Sequence, residues 1–287
     1  MNTVTTTSLN ISRRQFLKTA CQLGSIGLVA SYPVFIERLT VLTNEYRIAV
    51  PNLPAAFSGF RIVHLSDIHY GRLTSLSFIK GIVERANNLK PDLIACTGDY
   101  VYVTSAREKV DAVWQVLSQL TAPCGVWSVL GNHDHWTDTE RSDLWLKKSG
   151  QNLRHKAVRI ERSGQALWFA GAGDFITDHR NLDPVLEQIP DPDCRVVLAH
   201  NPDTADTVFK RRIDLMLAGH THGGQVRVPF MPPLYNPVLN KNYVGGITAS
   251  LRGFPMFISR GIGWTFLPIR FNCYPEIAVL ELVPHSV

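Results

Sequence analysis

Five short polar motifs follow one another down this chain, and each stands directly behind a run with the composition of a buried strand. They are Asp67-Ile68-His69 after RIVHL, Gly98-Asp99 after DLIACT, Gly131-Asn132-His133-Asp134 after GVWSVL, His200 after RVVLA, and Gly219-His220-Thr221-His222 after LMLA. Residues at the carboxyl ends of strands converge on one edge of an open α/β sheet, where such sheets build their sites. Carboxylate, imidazole and side-chain amide are hard oxygen and borderline nitrogen donors. That mixture holds two divalent cations roughly 3.5–4 Å apart for in-line attack on a phosphate ester.

Each position has its own chemical use. Asp67 and His69 can reach one cation from the loop that ends their strand, forming one half-site. Asp99 has two carboxylate oxygens and can bridge two cations, setting their spacing. Asn132 offers only its amide oxygen to a metal, and Gly131 before it lets backbone approach the site without a Cβ. His133, as an imidazole outside the ligand set, can contact the substrate phosphate or protonate the leaving alkoxide. His200 and the His220/His222 pair complete both ligand sets. Six of the ten histidines fall in or beside these motifs, a concentration that ordinary surface or core use does not explain.

Periodicity gives an α/β order. Apolar strands near 61–65, 92–96, 125–130, 195–199 and 213–218 alternate with helical stretches near 75–89, 107–120, 138–148 and 202–211. Segments 157–160, 166–170, 225–228, 256–259 and 277–282 read as hairpin-type strands of a second sheet.

The order D-x-H, G-D, G-N-H-D, H, G-H-x-H resembles the calcineurin-like metallophosphoesterases, with similarity extending over about residues 44–283. The resemblance implies an α/β fold of two packed mixed β-sheets flanked by helices, a four-layer α/β/β/α sandwich, and hydrolysis of a phosphomonoester, phosphodiester or pyrophosphate bond. Carried over residue by residue, it places Asp67, His69, Asp99 and His222 on the first metal and Asp99, Asn132, His200 and His220 on the second. His133 takes the phosphate-contacting or acid role, and Asp134 would orient its imidazole. Many members read G-D-x-x-D where this chain has Gly98-Asp99-Tyr100-Val101-Tyr102, so Tyr102 stands in place of a supporting carboxylate. The tripeptide Gly223-Gly224-Gln225, with 268–272 and 275–277, points to an exported, envelope-facing branch.

At the N-terminus, Ser12-Arg13-Arg14-Gln15-Phe16-Leu17-Lys18 is a twin-arginine export motif, followed by an apolar stretch over about 23–36 broken by Gly24, Gly27 and Pro33. Residues 1–40 are read as a twin-arginine signal peptide or N-terminal anchor, and 41–287 as the phosphoesterase domain. The expected partners are the twin-arginine machinery, a phosphate-ester substrate and a membrane or cell-wall surface. The expected location is the periplasm, the cell wall or the membrane. Proteins of this route fold before crossing, which offers a way to select manganese, ahead of iron, zinc or cobalt, from cytoplasmic pools. A net charge of +5, partly from the leader, is no nucleic-acid signature.

The remaining features read more plainly. With 45% apolar and 18% charged residues, the chain past its leader builds one large domain. The five cysteines show no C-x-x-C pair and read as free thiols. His64 reads as a core histidine, His135 as a loop residue stacked on Trp136, and His155, His179 and His285 as polar surface. Arg72 and Arg260 are candidate phosphate clamps. The proline-rich loop 229–237 reads first as a stiff connector with hydrophobic padding and second, if exposed, as a rim able to touch lipid. Alternatives from other classes stay open: a UDP-diacylglucosamine pyrophosphatase of lipid A synthesis, and a metal-binding scaffold without turnover.

Overall fold

The computed structural model describes residues 12–71, 73–102, 107–178 and 181–285. The elements run α1 (Arg13–Phe35), β1 (Leu42–Val50), β2 (Phe60–Leu65), α2 (Leu76–Asn88), β3 (Leu93–Cys96), α3 (Arg107–Leu117), β4 (Val126–Ser128) and α4 (Asn132–Lys148). They continue with β5 (Ala157–Arg162), β6 (Gln165–Gly171), α5 (Asp183–Leu186), β7 (Cys194–Leu198), β8 (Leu215–Ala218), β9 (Gly246–Ala249), β10 (Pro255–Ile258) and β11 (Glu276–Pro284).

The strands form two sheets, one in the order β1-β11-β2-β3-β4 and the other β5-β6-β7-β8-β10-β9. Alternation along each strand explains the layering. In β2, Ile62 faces the second sheet, in a core with Leu93, Phe169, Val196, Leu217 and Leu280, while Val63 and Leu65 turn outward. There they meet Ile79, Ile82 and Val83 of α2 and Val113 and Trp114 of α3. The apolar spacing of α2 lies on one face, and Ser75 caps its start by accepting a hydrogen bond from Phe78 N. The outer face of the second sheet is covered by α5 and the loops around Ala205 and Phe209. The expected sandwich of two mixed sheets flanked by helices is what the chain builds.

Several elements depart from their sequence reading. The strand expected near 277–282 in the second sheet is β11. It lies in the first sheet, parallel to β1 and antiparallel to β2. Residues 225–228 form only an isolated bridge, Val226 with Phe271. The helix expected over 202–211 is a short 3-10 turn, Pro202–Asp206. Its Asp203 carboxylate is drawn into accepting hydrogen bonds from Leu239 N and Asn240 N. The helix expected from 138 starts at Asn132 and changes direction at Asp138. β1 and β9 had not been anticipated.

The first residues of α1 are exposed, while its end docks on the domain. Arg270 N donates to Pro33 O, Cys273 N to the Glu37 carboxylate, and the Tyr32 and Tyr274 hydroxyls meet. Among the described residues, no helix is long and apolar enough to cross a membrane.

Candidate metal centre

Every candidate ligand named from the sequence lies at one edge of the sandwich, where β2, β3, β7 and β8 end and α4 begins. Three overlapping groups place their donor atoms within 4.8 Å of one another: Asp67, His69 and His222; His69, Asp99 and His133; and Asp99, His200 and His220. Asp99 belongs to two of them. Its Oδ2 lies 3.4 Å from His69 Nε2 and 3.2 Å from His200 Nε2, between the two sets. Its other oxygen, Oδ1, accepts a hydrogen bond from His133 N, which fixes the carboxylate's orientation.

On one side, His69 Nε2 and His222 Nε2 stand 3.0 Å apart, and His222 Nε2 lies 3.4 Å from Asp67 Oδ1. On the other, His200 Nε2 lies 3.1 Å from both Asn132 Oδ1 and His220 Nδ1. Ligand atoms held about 2.0–2.2 Å from one cation lie about 3.0–3.5 Å from each other, so these separations fit two metals. The outward nitrogens agree. His200 Nδ1 meets Thr97 O at 2.7 Å and His220 Nε2 meets Pro237 O at 3.2 Å, which leaves His200 Nε2 and His220 Nδ1 to face a metal.

The local backbone is shaped for this. Five of the candidate ligands, Asp67, His69, Asp99, His220 and His222, have φ between 49° and 69°, a region non-glycine residues seldom occupy. Gly131 leaves room for the site, since a Cβ there would strike the Asp99 carboxylate and lie 2.8 Å from the His200 ring. Gly219 is similarly confined by Ser66 and Asp67.

Electrostatics follow from burial and from Asp99. Burial works against a charged His200, but the adjacent Asp99 carboxylate and their hydrogen bond outweigh it and push the imidazole up to about 10. Burial also opposes an ionised Asp99, yet His200 and His133 hold its carboxyl well below the usual range. Burial keeps His69, His220 and His222 below the ordinary histidine value, with Arg270 adding to the effect on His222.

His133 sits at the mouth of the site, 4.6 Å between ring centres from His69 and 5.1 Å from Trp136. Asp134 does not serve it as expected. Its Oδ2 accepts from Asp99 N and Gly131 N, and its Oδ1 from Tyr100 N and Val101 N, so the carboxylate clamps the two ligand loops together. Tyr102 supplies an aromatic wall against His69, His133 and Trp264.

Other residues also differ from their first reading. His135 meets Thr139, while His133 takes the place beside Trp136. His155 is half-buried and lies 2.7 Å from Asp178, which is not polar surface. His64 is a core histidine bonded to Thr97 Oγ1. The Arg260 backbone is tied to Glu276, and its guanidinium lies 4.0 Å from that carboxylate. Arg72 and His179 fall outside the described residues. The five cysteines are free. Arg270, fully buried, was read only within the 268–272 signature and not as a neighbour of the site. It donates to Arg260 O, Gly261 O and Gly263 O and lies 3.5 Å from His222 Nδ1.

Loop 229–237 is no buried padding, because Phe230, Met231, Leu234 and Tyr235 are all exposed. With residues 265–269 it walls a cavity of about 330 Å³ that reaches Thr221 and the candidate ligand His222.

A model of the calcineurin-like phosphoesterases matches residues 60–224, which spans all five metal-site motifs. The chain belongs to that family. An uncharacterized metallophosphoesterase of Bacillus subtilis, YkuE, is 31% identical over 95% of this chain and 98% of its own length. The phosphodiesterase YaeI of Escherichia coli is 34% identical over 95% of this chain and its full length. The UDP-2,3-diacylglucosamine pyrophosphatase LpxG of Chlamydia muridarum is 26% identical over 81% of this chain and 86% of its own. The phosphoesterase is thus a metal-dependent phosphoric ester hydrolase of a family that works with two metals, and its geometry brings the expected donors together.

Proposed function

We propose that this phosphoesterase hydrolyses a phosphodiester of the cell envelope after export by the twin-arginine route, with manganese as its metal. The observation that carries the reading is Asp99 Oδ2 standing between two sets of nitrogen and oxygen donors, each of a size for one cation. Asp67, His69, Asp99 and His222 would hold one cation and Asp99, Asn132, His200 and His220 the other. Bound there, the pair supplies charge neutralisation on the phosphate and activation of the attacking water. The remaining work belongs to the chain. His133 at the mouth holds a proton for the leaving alkoxide, Asp134 keeps the Asp99 and Asn132 loops in register, and Tyr102, Trp136 and Trp264 limit water around His133.

Export is supported by Arg13 and Arg14, both exposed in the first turn of α1, where Ser12 and Gln15 form a capping box. Similarity to a phosphodiesterase favours a diester. A second reading, cleavage of the pyrophosphate of a diacylated nucleotide sugar, draws on the relative of that activity and on the apolar cavity beside His222.

The test is turnover of bis-p-nitrophenyl phosphate by purified protein with manganese, with loss on chelation and return on resupply. No turnover with manganese, iron, zinc or cobalt would leave a metal-bound scaffold as the better account. Replacement of Arg13 and Arg14 by lysine should strand active protein in the cytoplasm, and undiminished export would remove the twin-arginine part.

A further inference from the structure

We infer that the substrate carries an aliphatic chain, seated in the cavity between residues 234–237 and 265–269 while its phosphate lies at the metal ligands. The inference rests on the phosphoesterase reading and adds the substrate's chemical class. The cavity is walled by Leu234, Tyr235, Pro237, Phe266, Leu267 and Ile269, and His222 is part of its lining. A chain seated there lies beside a proposed metal ligand, and the proposal places the phosphate it carries at the metal set to which His222 belongs.

The chemistry of the walls selects hydrocarbon. Thr221 Oγ1 donates to Val244 O, and Gln225 uses its amide on Thr265 and Leu267 backbone atoms, so these two polar side chains are committed. A sugar or nucleobase placed here would lose water without regaining hydrogen bonds from them, whereas a methylene chain loses nothing. The lining also remains open at considerable cost in exposed apolar surface. Leu234 is 63% and Leu267 61% exposed, and Phe230, Met231 and Leu239, close by in the chain, are exposed as well. Tyr235 and Phe266 meet edge to face at 5.1 Å and join the two loops. Phe266 does so with φ at 57°, a strained backbone for a bulky residue.

The experiment uses p-nitrophenyl phosphodiesters whose second group is methyl, butyl or octyl, below their micelle concentrations. Transfer of each methylene from water into the cavity should raise kcat/KM about fourfold until the cavity is filled, giving an octyl to methyl ratio above about 100. In Leu234→Ser/Leu267→Ser, whose sites are exposed and so tolerate the change, that ratio should fall at least about tenfold. A flat series in the wild type overturns the inference, while hydrolysis of the methyl ester leaves the phosphoesterase reading standing. Calorimetric binding of dodecyl, farnesyl and methyl phosphate needs no turnover. Preference for dodecyl assigns an acyl-type chain and preference for farnesyl an isoprenoid, and equal weak binding of all three refutes the cavity as a chain site.

Discussion

Replacing Asp134 separates two roles for the residue beside His133. Its carboxylate accepts four backbone hydrogen bonds, from Gly131, Asp99, Tyr100 and Val101 at 2.8–3.3 Å, and it is fully buried. Asp134→Asn keeps the shape but turns one accepting oxygen into an NH2 that faces two N–H donors. Burial and the neighbouring Asp99 push this carboxyl up to about 7. At a pH well above that, where it is ionised, two charge-assisted bonds are lost, each worth about 1.5–3 kcal/mol, and roughly 3–6 kcal/mol of stability should go. At about 2–4 °C per kcal/mol for a chain of this size, Tm falls by roughly 6–24 °C. Calorimetry on chelated protein is the proper assay, because metal linkage would otherwise mask the loss. Metal affinity should weaken as well, since the released N–H groups hold Asp99 and the Asn132 loop. If the variant melted within about 2 °C of the wild type and lost only turnover, Asp134 would be orienting His133 and the clamp would be wrong.

Asp99→Ala should lose both metals together, and elemental analysis that still finds two equivalents per chain would disprove the bridge. His133→Asn should keep its metals yet lose about 10²–10⁴-fold in turnover of esters with poor leaving groups, and less with p-nitrophenolate. Equal losses for both would place His133 in phosphate binding. In metal-free protein His200 is raised to about 10, so it is protonated at neutral pH and must shed that proton to become a ligand. Metal affinity should therefore climb with pH up to about 10. Calorimetry in buffers of different ionisation enthalpy should show about one proton released at pH 7, and no buffer dependence would contradict it. The same shift has a stability sign. The His200–Asp99 contribution is present in metal-free protein below the ordinary histidine value and fades as pH rises through about 10.

The convergence of the candidate ligands was legible because each stands at the end of a strand whose apolar run is local in sequence. What was not legible depends on distant pairing. Nothing in EIAVLELVP says that β11 inserts between β1 and β2, because a strand buried on both faces has the same composition in either sheet. Residues 202–211 have helical content, but Pro202 and the tertiary bonds of Asp203 hold a 3-10 turn. Asp134 was misread by adjacency: successive helical residues point about 100° apart, so in α4 His133 faces the mouth while Asp134 turns back toward the loops. Arg270 lay outside the five metal-site motifs, and its role depends on carbonyls of residues 260–263 that only folding brings around it.

The strain in the ligand loops explains why the motifs are so compact. In a strand, residues two apart face the same side, yet their side chains run parallel and cannot converge on one point. Turning both Asp67 and His69 into the left-handed region bends the chain around buried Ile68 and brings the carboxylate and imidazole to 3.9 Å. His220 and His222 repeat the device, each with positive φ, so that one imidazole falls in each candidate donor set. Glycine would relieve these backbones but carries no donor, so the strain comes with having a ligand there at all. Interlocking hydrogen bonds hold it in place: Asp67 N donates to Gly98 O, His69 N to Asp99 O, and His220 N to the Asp67 carboxylate. Each ligand loop is thus braced by another, which is why the same few residues determine both the local fold and the chemistry.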